Sequence, residues 1–275
     1  LTDMPIKLAG TSAKTSWFNK TGSANIALSA ATALEVSSNS YMMQLAMKEG
    51  GMKYVSGGAI DLDPSIFTKL RYYFKMFGLG VKTGIDLPGE STGYEGPSKQ
   101  SNIGSALDLS YGNYDGYTTI QLAQYMSTIA NGGYRMRPYI VKQIRGTNKD
   151  GSLGAIEYTT KPEVLGTIPA TAAEWKIVKE GLYDVVHGSS TYITGKKLAS
   201  DTPSISGKTG TGETFYKNNS TITLSFAGYA PSNNPQVVVA LAIPGASTDG
   251  GANLTMASQI FKAFWKDVKS SKDYQ

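Results

Sequence analysis

The chain has 275 residues, no cysteine and one histidine, and its formal net charge at pH 7 is +5. The lack of cysteine excludes disulfide bonds and thiolate chemistry, and it makes a zinc site unexpected because Cys and His are the usual zinc ligands. A Ser-His-Asp hydrolase would have to use His187, and the sequence contains no Gly-x-Ser-x-Gly elbow. No run of about 18 apolar residues is present, so no membrane span is predicted in these residues.

The first part of the chain is predicted to be helical. Apolar and small residues over 24–36, preceded by Ser23 as an N-cap, predict a helix that ends at Ser37-Ser38-Asn39. A second helix is predicted over 41–47. A third begins at Asp63-Pro64 and ends at Gly78.

Residues 79–117 are rich in Gly, Pro, Asp and Tyr, and they predict loops with short extended pieces. Two capping boxes follow, Thr118-x-x-Gln121 and Thr171-x-x-Glu174. Each precedes an apolar stripe of helical period. The helices that they start are predicted to end at Gly132-Gly133 and Gly188.

The last quarter of the chain changes character. Short runs typical of β-strands occupy 204–210, 221–229 and 236–243, and their short connections predict an antiparallel meander. A final helix is predicted over 254–268. The chain is therefore interpreted as one α+β domain, with mostly helices and loops over 1–200 and the strands and last helix over 201–275.

Basic residues are scattered, apart from four lysines in the last predicted helix. They are spaced to lie along one helix face: Lys262, Lys266, Lys269 and Lys272. We interpret this stripe as a solvated face rather than a polyanion site, so no nucleic-acid partner is expected.

The sharpest local pattern is Ser206-Gly207-Lys208-Thr209-Gly210-Thr211-Gly212. A phosphate-binding loop needs a glycine at position 202, where the chain has Thr202. A second interpretation is an edge strand that lines an active site. Lys208 then supplies a cation, and Thr209 and Thr211 supply hydroxyls on one face, because side chains two apart on a strand point the same way. The alternative is a glycine-loosened edge strand with a solvated lysine.

Ser37-Ser38-Asn39 is the second candidate. A serine and an asparagine at a helix end supply a proton relay and an amide that both donates and accepts. Ordinary helix-end capping is the alternative interpretation. Ser37-x-Asn39 followed by Lys208-Thr209-Gly210 matches, in order, two of the three motifs of the penicillin-recognising serine enzymes.

Longer segments agree with this pattern. They are Phe77-Gly78-Leu79-Gly80, the run from Lys82 to Glu90, Thr118-x-x-Gln121-Leu122-Ala123-Gln124, the run from Ile129 to Gly133, and the run from Phe226 to Pro231. Together they cover essentially the whole chain. The sequence therefore resembles the transpeptidase domain of a class B (monofunctional) penicillin-binding protein, most closely the elongation-type enzyme of streptococci and their relatives.

The resemblance implies an antiparallel sheet flanked by helices, with a helical subdomain, and no metal or cofactor. It implies that Ser37 relays a proton, Asn39 holds the substrate amide and steadies the lysine of the S-x-x-K motif, and Lys208 keeps a positive field. Thr209 and Thr211, with Gly210 between them, are expected to bind the terminal carboxylate of a D-Ala-D-Ala stem peptide or of a β-lactam. The N–H of Thr211 is expected to form half of an oxyanion hole.

The third motif is missing from these residues. No lysine has a serine three positions before it, and the nearest mimic is Thr11-x-x-Lys14. We therefore expect the nucleophile on an upstream segment or a companion chain, together with a membrane anchor that holds the domain on the extracellular face. The isolated chain is expected to be inactive and to lack the first strands and central helix of the fold, and proteins of the elongation or division machinery are expected as partners.

Other functions of the same fold stay open from the sequence. A D,D-carboxypeptidase uses the same motifs, and these motifs do not distinguish water from an amine as the acceptor of the acyl group. A β-lactam sensor and a non-catalytic scaffold are further alternatives. A class A β-lactamase is disfavoured because no Glu-x-x-Leu-Asn pattern is present.

Overall fold

Helices and three small antiparallel sheets alternate along residues 1–271, the part of the chain that the computed structural model describes. The α-helices in that part are α1 (Ala30–Glu35), α2 (Asn39–Glu49), α3 (Ser65–Met76), α4 (Ser105–Ser110), α5 (Thr119–Ala130), α6 (Ala172–His187) and α7 (Ala252–Ala263). The strands there are β1 (Tyr134–Met136), β2 (Gln143–Thr147), β3 (Leu153–Thr159), β4 (Val164–Thr167), β5 (Ser206–Tyr216), β6 (Asn219–Ala230) and β7 (Val237–Ala246). In the sheets, β1 pairs with β4, β2 with β3, and β6 lies between β5 and β7.

Both predicted capping boxes are confirmed. The Thr118 side chain accepts from the N–H of Gln121, whose side chain accepts from the Thr118 N–H, so two otherwise unpaired donors at the start of α5 are satisfied. Thr171 and Glu174 form the same pair at the start of α6. These helices begin where the sequence predicts because the signal is made entirely by neighbouring residues.

The predicted helix over 24–36 is wrong at its start. The helix α1 begins only after Ser29, which forms a capping box with Thr32. The preceding residues are drawn into contacts with the start of the chain, since Leu28 donates its N–H to the Leu1 carbonyl and Ala27 bridges Thr2. Long-range backbone pairing therefore overrides the local helical tendency of residues 24–28.

The four strands β1 to β4, between residues 134 and 167, were missed by the sequence analysis. They form two small pairs with interrupted register, and β2 and β3 have almost no buried residues. Without a buried face, a strand shows no alternation of apolar and polar residues from which to predict it.

The predicted meander is confirmed, with strands longer than expected. Lys217 and Asn218 have φ values of 48° and 63° and make the two-residue turn between β5 and β6. Alternate residues of the sheet face opposite layers: Phe226 and Leu241 pack with α7, whereas Tyr229 packs against α5 and α6. The sheet is thus covered on both faces, and its outer edge at β5 is left without a neighbouring strand among residues 1–271.

The last helix begins two residues earlier than predicted, and it reaches its predicted end at residue 268 with a change of helix type. The α-helical part ends at Ala263, and a π-helical turn (Phe264–Val268) follows. Of the lysine stripe, Lys262 forms an ion pair with Asp201 at 2.8 Å, and Lys272 lies outside the described residues.

A buried ion pair ties α3 to the loop region after it. The Arg71 guanidinium donates to both carboxylate oxygens of Asp115, at 2.7 and 2.6 Å, and also to the Gly96 carbonyl. The Asp115 side chain is fully buried. This pair holds the loops on either side of α4, whose Asp108 forms an ion pair with Lys14 at 2.6 Å.

We expect Asp115→Ala to lower the free energy of unfolding by about 3–5 kcal/mol, because it leaves the buried Arg71 charge without the carboxylate that accepts two of its hydrogen bonds. Glu163→Ala is the matched control, since it breaks the exposed pair with Arg137 and should cost no more than about 1 kcal/mol. Urea unfolding of the two variants measures both values. Equal losses would contradict the role assigned to the buried pair.

Candidate functional site

The predicted Ser37-Ser38-Asn39 motif lies at the junction of two helices. Ser37 follows the end of α1 with φ of 57°, in the left-handed region, where a residue other than glycine is uncommon. Ser38 is the N-cap of α2 and accepts from the N–H of Tyr41 at 2.9 Å. Asn39 is the first residue of α2, and its amide donates to the Thr15 carbonyl at 3.3 Å.

A buried carboxylate braces this junction. Asp3 is 1% exposed and accepts from the hydroxyls of Ser16 at 2.6 Å and Ser38 at 2.5 Å, and from the amide of Asn19 at 2.9 Å. Ser16 in turn accepts from the N–H of Ser40. Sequence reasoning missed Asp3 and Ser16, because the contact between Asp3 and Ser38 spans 35 positions and leaves no local pattern.

The predicted motif Lys208-Thr209-Gly210-Thr211 lies on β5, the strand at the open edge of the three-stranded sheet. The two glycines next to Lys208 and Thr209 permit close contact with β6. A Cβ atom at Gly207 would lie 2.6 Å from the Phe226 ring, and one at Gly210 would overlap the Ser225 hydroxyl. The glycines therefore serve the packing of β5 on β6, and the strand presents its other edge outward.

The structure brings the two motifs together. Lys208 Nζ donates to Ser37 Oγ at 2.7 Å across a sequence separation of 171 residues, and also to the Thr209 carbonyl at 3.1 Å. Burial lowers the pKa of Lys208 from 10.5 to about 8, because desolvation penalises the charged amine. An ammonium group with a readily lost proton thus faces a serine hydroxyl at the open edge of a sheet.

Both threonine hydroxyls of the motif have partners that the sequence analysis missed. Thr209 Oγ1 lies 2.6 Å from Thr194 Oγ1, and Thr211 donates to Asp249 Oδ2 at 2.9 Å. Thr194 is on the loop before β5, and Asp249 is on the loop between β7 and α7. Neither loop carries a motif that points to this site.

An aromatic group lies beside the serine junction. The Trp17 indole donates to the Val36 carbonyl at 3.0 Å, directly before Ser37. Phe18 stacks on Tyr192 with ring centroids 4.7 Å apart, and Trp17 packs edge-on against both rings. These rings border the serine side of the site with apolar surface.

Within residues 1–271 there is no group of three or more His, Asp and Glu side chains placed to hold a metal ion. His187 stacks on Tyr183 with ring centroids 4.3 Å apart, and its Nε2 lies 3.0 Å from the Ile205 carbonyl. No helix among the same residues has both the length and the apolar character needed to cross a bilayer.

This arrangement matches a known class of protein. The family model described as the penicillin binding protein transpeptidase domain matches residues 1–266, so the chain belongs to that family. The mixed helix and sheet fold and the resemblance to a class B transpeptidase domain, both predicted from the sequence, are confirmed.

Individual relatives show how similar the chain is to known members of the family. The chain is 37% identical over 272 residues to penicillin-binding protein 2B of Streptococcus pneumoniae, covering 97% of this chain and 39% of the relative. It is 38% identical over 252 residues to penicillin-binding protein 2A of Bacillus subtilis, covering 88% and 34% of the two chains. A solved structure of the pneumococcal protein, from strain R6, superposes with a TM-score of 0.92 at 35% identity, covering 98% of this chain and 44% of that one.

The chain therefore spans a third to two fifths of the length of these curated relatives. The relatives are named as penicillin-binding proteins, and the description as a transpeptidase domain comes from the family model.

The lowered pKa of Lys208 predicts a specific pH dependence of stability. Between pH 8 and 10.5 the unfolded chain binds a proton that the folded chain has lost, so the free energy of unfolding should rise with pH across that window. Lys208→Met removes this titration. Its stability relative to the native chain should be greatest below pH 8 and should decline toward pH 10.5.

Urea unfolding at pH values on both sides of that window measures the difference. Lys53→Met, at an exposed lysine, is the control and should show a difference that hardly changes with pH. A pH-independent difference for Lys208→Met would contradict the lowered pKa.

Proposed function

We propose that this chain is the larger part of the catalytic domain of a penicillin-sensitive D,D-transpeptidase, which cross-links peptidoglycan stem peptides through an acyl-serine intermediate. The observation that carries the proposal is the 2.7 Å hydrogen bond from Lys208 to Ser37, at the open edge of β5. It unites two of the three motifs of this enzyme class in one place. Membership of the transpeptidase family supports the same reaction.

The reaction is an acyl transfer in two steps. A serine hydroxyl attacks the carbonyl carbon of the penultimate D-Ala, the C–N bond to the terminal D-Ala breaks, and that amine leaves with a proton. An amine of a neighbouring stem peptide then attacks the acyl-serine ester, the new amide forms, and the serine regains its hydrogen. A β-lactam follows the first step only, because its leaving amine stays tethered to the acyl group.

Ser37 is suited to relay the proton. Its oxygen accepts from Lys208, so its only hydroxyl hydrogen is directed elsewhere and is available for the departing amine. Lys208 is mostly protonated below pH 8, and its positive charge favours both the anionic substrate and the loss of the Ser37 proton. We assign Asn39, at the start of α2, to the substrate amide and to the lysine of the missing motif.

The edge of β5 is suited to the substrate's acidic end. Thr209 and Thr211 lie two apart on one strand face, with Gly210 keeping the backbone between them close to β6. We assign the hydroxyls of both threonines to the terminal carboxylate of the bound substrate, in exchange for their present protein partners. The backbone N–H of Thr211 is proposed to hold the oxyanion of the tetrahedral intermediate together with the N–H of the nucleophile.

The nucleophile itself is proposed to lie outside these residues, because no Ser-x-x-Lys occurs among them. We place it on a preceding segment, with a membrane anchor further upstream that keeps the domain on the extracellular face. Peptidoglycan stem peptides and β-lactams are the proposed ligands, and the elongation or division machinery supplies the proposed protein partners.

Fluorescent penicillin labelling followed by denaturing electrophoresis tests the proposal. A polypeptide that joins this chain to its upstream Ser-x-x-Lys segment should carry one covalent label, whereas the 275-residue chain alone should carry none. Labelling of the chain alone would contradict the placement of the nucleophile. Absence of labelling in the longer polypeptide would contradict the proposed activity.

Ser37→Ala in the longer polypeptide should slow acylation by about 10²- to 10⁴-fold, the range expected for loss of a positioned proton-transfer group. Ser152→Ala, at the exposed turn between β2 and β3, is the control and should acylate at the native rate. Stopped-flow measurement of the acylation rate constant decides the outcome. A native rate in Ser37→Ala would remove Ser37 from the mechanism.

A further inference from the structure

The hydroxyl of Thr211 is already committed to a carboxylate of the protein itself. A threonine hydroxyl has a single hydrogen, and that of Thr211 points to Asp249 Oδ2 at 2.9 Å. A carboxylate only accepts hydrogen bonds, so Thr211 is the donor in this pair. Thr211 therefore has no hydrogen left for a ligand carboxylate while this contact holds.

Thr209 differs in this respect. Its partner is the hydroxyl of Thr194, at 2.6 Å, and either oxygen can donate. When Thr194 donates, the hydrogen of Thr209 is free for an acceptor outside the pair. Of the two threonines on this strand face, Thr209 is thus ready to bind an anion and Thr211 is occupied.

The loop that carries Asp249 is built to present its carboxylate. Asp249 lies between β7 and α7, and its second oxygen accepts from the N–H of Gly251 at 3.3 Å. Gly245 and Gly251 have φ values of 73° and 68°, left-handed conformations that glycine adopts readily, and they bracket the turn. The two carboxylate oxygens are therefore divided between the loop's own backbone and Thr211.

We infer that Asp249 is a specificity-determining residue, whose carboxylate stands in for the substrate's terminal carboxylate on Thr211 and must be displaced before an anionic ligand binds there. The inference rests on the proposed function, since it takes the ligand to be a D-Ala carboxylate or the carboxylate of a β-lactam. Two carboxylates cannot share the single hydrogen of Thr211, and two like charges that approach the same hydroxyl repel each other. Asp249 thus disfavours anionic ligands against the attraction of Lys208.

The test uses the longer polypeptide that contains the Ser-x-x-Lys segment, and benzylpenicillin as the anionic probe. Asp249→Asn removes the charge and keeps an oxygen that can accept from Gly251. We expect its second-order acylation rate constant to rise about three- to fivefold, the size of one exposed charge interaction.

Asp150→Asn is the matched control. Asp150 is exposed and accepts from the N–H of Ser152, two residues on, just as Asp249 accepts from that of Gly251. It lies at the turn between β2 and β3, in a separate sheet. The control loses the same unit of negative charge and should acylate at the native rate. A rate increase in the Asp249 variant alone would therefore not be a general effect of net charge.

Asp249→Gly is the second variant, because it also removes the charge and suits a loop that already contains glycines. A rise in both Asp249 variants, and not in the control, supports the inference. If the folded Asp249 variants acylate at the native rate or more slowly, the inference is overturned. Labelling of the native protein in the same experiment would leave the proposed function intact. A native protein that takes up no label overturns the proposed function, and this inference with it.

Discussion

The hydrogen bond between Lys208 and Ser37 is the contact on which the rest of the site depends. It joins the sheet to the helical half of the chain across 171 positions, at 2.7 Å. Burial makes the charged form of Lys208 costly and lowers its pKa, so the ammonium group loses a proton more readily than an exposed lysine does. The same group donates hydrogen bonds to Ser37 and to the Thr209 carbonyl. Every proposed role, from proton relay to anion binding, uses that one local environment.

The site is therefore held by rigid supports on both sides. On the helical side, the left-handed backbone at Ser37 is braced by the buried Asp3 carboxylate through Ser38. On the sheet side, β5 is paired along its whole length with β6, and layers of helices cover both faces of the sheet. What is left open is the outer edge of β5, and that is where hydroxyls and backbone donors can meet a ligand.

Polarity at this edge is balanced rather than uniformly positive. In the proposed site, the charge of Lys208 attracts an anionic ligand, and the Asp249 carboxylate, which accepts from the hydroxyl of Thr211, opposes it. Because Asp249 occupies a hydroxyl that is proposed to bind the ligand carboxylate, the affinity for an anionic ligand is the attraction of Lys208 minus the cost of displacing Asp249. The proposed specificity follows from this opposition, because a ligand has to gain more from Lys208 and Thr209 than it loses in displacing Asp249.

Local patterns in the sequence were sufficient for the capping boxes at Thr118 and Thr171, the three-stranded meander and the two motifs, since each is made by neighbouring residues. The start of α1, the strands β1 to β4, and the partners Asp3, Thr194 and Asp249 were set by the folded chain. These features depend on contacts between segments far apart in sequence, or lack a buried face. Propensity and periodicity depend only on residues that are near in sequence. The partners of the motif side chains are therefore determined by the tertiary structure, which brings distant segments into contact.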